Sequence, residues 1–164
     1  MLRFSGNDVL QLLESDSVTT TTKLSATVGA LVEGVDRDRL ASDEALPAWT
    51  LDALEANGAL VFRGLHLDDE AQVAFSRKLG KVEQLGHGEH PEIFRVTLDP
   101  SKNSAARYLR GTFDWHIDGC TDDIPIMATM LSAHAVAAEG GETEFASSYA
   151  VSYTHLTLPT NREV

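Results

Sequence analysis

The segment Asp114-Trp115-His116-Ile117-Asp118 sets an imidazole and a carboxylate two residues apart. On an extended strand, residues i and i+2 project to the same side, so both groups could reach one metal ion. One further His would complete a two-histidine, one-carboxylate set. Such a set suits ferrous iron because it leaves positions open for a chelating molecule and for dioxygen. The spacing alone is not specific: His-x-Asp/Glu occurs at His66/Asp68, His87/Glu89, His90/Glu92 and His116/Asp118, whereas about one such pair is expected by chance from this composition. Their surroundings rank the four. Asp68 stands where it can cap a helix, and His87 to Glu92 lies in a Gly- and Pro-containing loop with no strand to align its acids. Only His116/Asp118 precedes a β-rich stretch.

Other candidates have plainer explanations. Thr143 is by type an ordinary strand residue, Trp115 a packing residue, and His134 a hydrogen-bonded core histidine. Gly140-Gly141 reads as a hairpin turn, because the basic residue and following helix of a phosphate-binding loop are absent. Cys120 reads as a small buried or loop residue with no nearby cation to favour a thiolate.

The elements that must position these groups follow from periodicity. A short helix is expected around Val9 to Leu13, followed by a polar tract, Ser17 to Thr22, read as a linker. Thr27 to Val35 reads as strand and turn. Ser42 to Asn57 carries Leu46, Trp49, Ala53 and Leu54 at helical spacing before Gly58. Ala59 to Phe62 reads as a buried strand, and Asp68 or Asp69 can cap a second helix that Gly80 ends. Ile93 to Leu98, Ile126 to Val136 and Glu142 to Phe145 are predicted strands. Early helices and late strands predict an α+β chain whose functional core is a β-sandwich or jelly roll.

Composition removes several function classes. The 164 residues can bury one core, and the formal charge of -12 with 13 scattered Lys and Arg argues against nucleic acid as a partner. One cysteine excludes an intrachain disulfide framework and a Cys-rich zinc site. Apolar runs are too short or interrupted to span a bilayer, and Met1 to Gln11 lacks the features of a secretory signal, so the expected compartment is the cytoplasm.

Four segments in order resemble the taurine dioxygenase and 2,4-dichlorophenoxyacetate dioxygenase family: Gly58-Ala59-Leu60-Val61-Phe62-Arg63-Gly64, Ala74-Phe75-Ser76-Arg77-Lys78-Leu79-Gly80, Trp115-His116-Ile117-Asp118 and Gly140-Gly141-Glu142-Thr143. The resemblance implies a partial double-stranded β-helix, or jelly roll, with flanking N-terminal helices. It implies His116 and Asp118 as Fe(II) ligands and Thr143 as a contact to a carboxylate of the cosubstrate 2-oxoglutarate. The implied partners are a small, anionic organic substrate and O2, with self-association into a homo-oligomer left open. Thr112 stands where taurine dioxygenases place an Asn that helps bind the sulfonate, which argues against taurine itself, and His87 falls near a substrate-contacting His of that enzyme.

The expected organisation is an N-terminal arm over 1–23, the N-terminal part of the dioxygenase domain over 24–150, and a foreign tail over 151–164. The family pattern would continue past Ala150 to a distal His ligand and an Arg that clamps 2-oxoglutarate. Val151 to Val164 instead resembles the translated read-through of a sequencing adapter. Two rival readings stay open: a metal-dependent hydrolase on a β-scaffold, with zinc polarising water, and a non-catalytic binding module.

Overall fold

Thr20, Thr21 and Thr22 are β-branched and favour extended backbone. In a computed structural model, which describes residues 18–85 and 88–150, they open strand β1, Thr20–Lys23. The helix expected around Val9, His87, His155 and the 151–164 tail lie outside the described residues. β1 pairs antiparallel with β2, Ala30–Glu33, with Thr22 opposite Leu31. The tract read as a linker therefore supplies a strand, because a pairing partner decides what a polar β-branched run does. All of β1 is exposed, and its Thr and Lys side chains make a polar edge. In the connecting turn Ser25 Oγ accepts from the Thr27 and Val28 amides at 3.2 and 3.0 Å. β2 pairs on its other side, in parallel, with β3, Leu60–Phe62, so the sheet order is β1-β2-β3.

A parallel pair needs a crossover connection, and two helices provide it: α1, Arg37–Ser42, and α2, Leu46–Asn57. The sequence predicts one helix from Ser42, but Ser42 closes α1 with its hydroxyl donating to Asp38 O at 2.8 Å. Asp43 makes the break. Its Oδ1 accepts from the Ala45 and Leu46 amides at 2.9 and 3.2 Å, and its Oδ2 accepts from Arg39 Nη2 at 2.7 Å. Gly58 ends α2 at φ +71°, a left-handed geometry that costs glycine little. α2 packs on β3, and Ala30, Val32, Leu40, Leu46 and Ala59 are buried.

The Arg39 guanidinium, and after it the Ala45 amide, hold the Asp43 carboxyl below the ordinary aspartate value of 3.8. A lowered carboxylate pKa contributes stability that is complete above the unfolded value and is lost as pH falls through the folded one. Asp43→Asn keeps an oxygen for the amides but loses the charge facing Arg39. It should lower the melting temperature at neutral pH, and the gap to wild type should close as pH falls below 3.8; a gap that persists in acid would rule out the ion pair as its source.

The chain divides into two compact units: residues through Leu65 together with those from Ala137, and His66–Val136. In the second unit, α3, Asp69–Leu79, is capped by Asp68, which accepts from the Ala71 amide at 2.9 Å. Asp69 and Glu70 in the first turn and Arg77 and Lys78 in the last complement the helix dipole. Val73 and Phe75 of α3 are buried, as are Ala106, just before the 3-10 helix Tyr108–Phe113, and Leu109 within it. Met130 is tied to α3 twice: its carbonyl accepts from Gln72 Nε2 at 3.2 Å, and its sulfur lies 3.6 Å from Ser76 Oγ.

Ile93 to Leu98, Ile126 to Val136 and Glu142 to Phe145 do not form strands. Alternation marks a segment suited to a sheet, but a strand needs a neighbour for its amides and carbonyls, and no neighbour pairs with these segments among the described residues. The mixed α and β content expected from sequence is present, whereas among the described residues there is one three-stranded sheet and no second sheet of a jelly roll. No helix among the described residues is long and apolar enough to cross a membrane.

Candidate metal centre

The backbone that carries His116 and Asp118 is a loop between the 3-10 helix and a turn, not the extended strand that motivated the pairing. The two side chains nevertheless meet, with His116 Nε2 and Asp118 Oδ1 3.3 Å apart and each side chain about half exposed. Local hydrogen bonds replace the strand as the orienting device. His116 Nδ1 lies 2.8 Å from Asp114 O, and because a carbonyl only accepts, Nδ1 carries the proton and Nε2 turns the rest of the ring's hydrogen-bonding capacity toward Asp118. On the other side, Asp118 Oδ2 accepts from Thr129 Oγ1 at 3.0 Å.

This geometry tests whether the pair fits a cation. In neutral imidazole Nε2 presents a lone pair, so it and carboxylate Oδ1 are two electron-rich atoms face to face, which only a proton or a metal ion between or beside them makes favourable. Two donors each about 2.1 Å from one ion and at right angles to each other would be about 3 Å apart. The observed 3.3 Å is close to that spacing. A nitrogen and a carboxylate oxygen form a donor set that suits a divalent first-row metal. Among the described residues no third His, Cys, Asp or Glu joins them.

A glycine holds the turn after the pair. Gly119 has φ +59°, and the Asp122 amide donates to its carbonyl at 3.2 Å. A Cβ built at Gly119 would lie 2.6 Å from Ile126 Cγ1, so the chain passes Ile126 at a distance only glycine allows. Gly119 and Thr129 both escape sequence reading. A Gly one residue after the Asp was the available hint for the first; nothing local points to the second, which is eleven residues from its partner.

The remaining candidates are used elsewhere or stand apart. Asp68 caps α3, and Glu92 is ion-paired with Arg77, its carboxyl held low by a hydrogen bond from its own amide and then by that guanidinium. His90 and His134 line an open hollow of about 520 Å³ with Asp68, Asp69, Glu70 and Arg95, and there Arg95 pairs with Asp69. His134 is thus not the core residue its apolar run suggested. Trp115, expected to pack, is 69% exposed, because its loop has no facing layer among the described residues. Cys120 is likewise exposed. Thr143 belongs to the first unit, exposed, on irregular backbone just after Gly140 and Gly141, which both have positive φ.

The chain belongs to the taurine catabolism dioxygenase TauD, TfdA family, whose pattern matches residues 20–157. It is 33% identical over 136 residues to an (S)-phenoxypropionate/alpha-ketoglutarate-dioxygenase of Delftia acidovorans, a match covering 76% of this chain and 45% of that protein. It is 33% identical over 127 residues to an alpha-ketoglutarate-dependent 2,4-dichlorophenoxyacetate dioxygenase of Burkholderia sp. strain RASC, covering 66% of this chain and 43% of the relative. An alpha-ketoglutarate-dependent sulfate ester dioxygenase of Pseudomonas putida is 30% identical over 141 residues, with 80% and 42% covered. The chain therefore spans less than half the length of these curated relatives. No solved structure gives a significant match.

Proposed function

We propose that the protein carrying this chain is an Fe(II)- and 2-oxoglutarate-dependent dioxygenase that hydroxylates a small, anionic organic molecule on a jelly-roll scaffold. The observation that carries this reading is the His116–Asp118 pair, donors 3.3 Å apart, in a chain that belongs to this family. Bound iron would supply the activation of O2, coupled to oxidative decarboxylation of 2-oxoglutarate to succinate and carbon dioxide. His116 Nε2 and Asp118 Oδ1 would hold the metal, with Asp114 O fixing the imidazole tautomer. Thr143 would donate its hydroxyl to a 2-oxoglutarate carboxylate. The distal His and the Arg clamp of the family pattern would come from sequence following Ala150. Relatives named for phenoxypropionate, 2,4-dichlorophenoxyacetate and sulfate esters support an anionic substrate, and Thr112 in place of the sulfonate-binding Asn disfavours taurine.

The test is succinate formation by the full-length protein with Fe(II), ascorbate, O2 and 2-oxoglutarate, against a panel of phenoxyalkanoates and alkyl sulfates. Substrate-stimulated succinate is the expected result. Tight zinc binding with hydrolytic turnover and no succinate would overturn it in favour of a hydrolase. In the same assay Thr143→Ala should raise the 2-oxoglutarate concentration for half-maximal rate by about tenfold, the loss of one hydrogen bond to a charged group, while altering the primary substrate's requirement less. An unchanged 2-oxoglutarate titration would return Thr143 to the rank of an ordinary chain residue.

A further inference from the structure

A carboxylate beside a metal has two oxygens, and which of them turns to the ion decides whether Asp118 takes one coordination position or two. In this structure the two oxygens have different neighbours. Oδ1 faces His116 Nε2 at 3.3 Å, and Oδ2 accepts the Thr129 hydroxyl at 3.0 Å. From the structure we infer that Thr129 is a positioning residue for the metal: its hydroxyl engages Oδ2 and so presents Asp118 through Oδ1 alone. This inference rests on the reading of His116 and Asp118 as metal ligands.

Three observations support the assignment. Thr129 is not a chance neighbour on a free loop, because the next residue, Met130, is hydrogen-bonded through its carbonyl to Gln72 of α3 and lies against Ser76 through its sulfur. The carboxylate side is fixed as well, since Asp118 leads into the turn at Gly119, which packs against Ile126 three residues before Thr129. The hydroxyl therefore joins a helix-anchored segment to the turn that bears the ligand. A hydroxyl also suits the task chemically: it donates one proton to a carboxylate oxygen and adds no charge that would compete with a bound cation. Partners of this kind orient a ligating carboxylate, and their loss costs metal affinity without removing a ligand.

The experiment measures binding of Co(II) alone to the metal-free, full-length protein, by calorimetry and by the visible absorption of bound Co(II), for wild type, Thr129→Val, Thr129→Ser and Asp118→Ala. Thr129 is exposed, so valine, of nearly the same shape, removes the hydroxyl with little effect on packing; the melting temperature of each metal-free protein checks this. Thr129→Val should weaken Co(II) binding about 10–100-fold and change the Co(II) spectrum as the second oxygen turns to the metal. Thr129→Ser should recover affinity to within a few fold of wild type. Valine binding as tightly as wild type, or serine binding as weakly as valine, overturns the role of Thr129. If valine does not fold, the serine result decides alone, and serine weakened like Asp118→Ala counts against it. Asp118→Ala binding Co(II) as tightly as wild type would instead sink the ligand reading on which this inference rests, so the two failures are distinguishable.

Discussion

Alanine at His116 or at Asp118 should lower divalent-metal affinity of the full-length protein by more than about 100-fold, beyond the ~10–100-fold that loss of an orienting partner costs, and should nearly abolish succinate formation. Each substitution deletes one of the two donor atoms that stand 3.3 Å apart. Asp118→Ala is the more telling, because Thr129 then loses its carboxylate acceptor and, among the described residues, no other His, Cys, Asp or Glu joins His116 to hold a cation. Asp68→Ala is the control. That carboxylate also follows a histidine at i+2, but it accepts from the Ala71 amide as the cap of α3, so its loss should cost about 0.5–2 kcal/mol of stability and leave metal affinity unchanged. Equal loss of metal at Asp68 and Asp118, measured by titration, would show that His116 and Asp118 are not the metal-holding pair.

Gly119→Ala should weaken the site without touching a ligand. An alanine there adopts φ +59°, and its Cβ falls 2.6 and 2.7 Å from the Ile126 side chain and 3.0 Å from Asp122 Oδ2. Residues held in the left-handed region cost of order 1–3 kcal/mol, and the chain would relieve the crowding by shifting the turn that carries Asp118. The expected result is a lower melting temperature together with at least a tenfold loss of Co(II) affinity, about 1.4 kcal/mol. Adding Ile126→Ala removes the two closest contacts but neither the Asp122 contact nor the backbone strain, so the double variant should recover partially. Gly119→Ala that melts and binds metal like wild type would mean the turn is not needed to place Asp118.

How far these features could be read in advance depended on how local their causes are. Asp68 and Gly58 were legible because a cap is a matter of three or four consecutive residues. The adjacency of His116 and Asp118 was legible too, but for a reason that did not hold: i+2 spacing suggested a strand, and the structure joins the pair through a loop tied by Asp114 O and a glycine turn. The strands expected at Ile93, Ile126 and Glu142 failed on the opposite ground. Their alternation is real, yet pairing is settled by segments far away in sequence, and the 142–145 stretch has no pairing partner among the described residues. The Thr tract shows the converse, a polar run made into β1 by the strand beside it. Thr129 was out of reach because its partner is set by the return of the chain along α3.

The two pairings of β2 differ in how far they reach along the chain. Thr22 meets Leu31 nine residues away, whereas Ala30 meets Leu60 thirty residues away, with α1 and α2 between. Closing the longer loop costs only about 1 kcal/mol more, and the helices shorten the distance as they form, so the hairpin should assemble first and receive β3 second. Pulsed hydrogen exchange during refolding would show this as protection of β1–β2 amides before β2–β3 amides; simultaneous protection would refute the order. All three strands lie before residue 63. On a ribosome, this sheet can therefore acquire its register while the codons for His116 and Asp118 are still untranslated, so the three strands need not wait for the metal-site loop in order to pair.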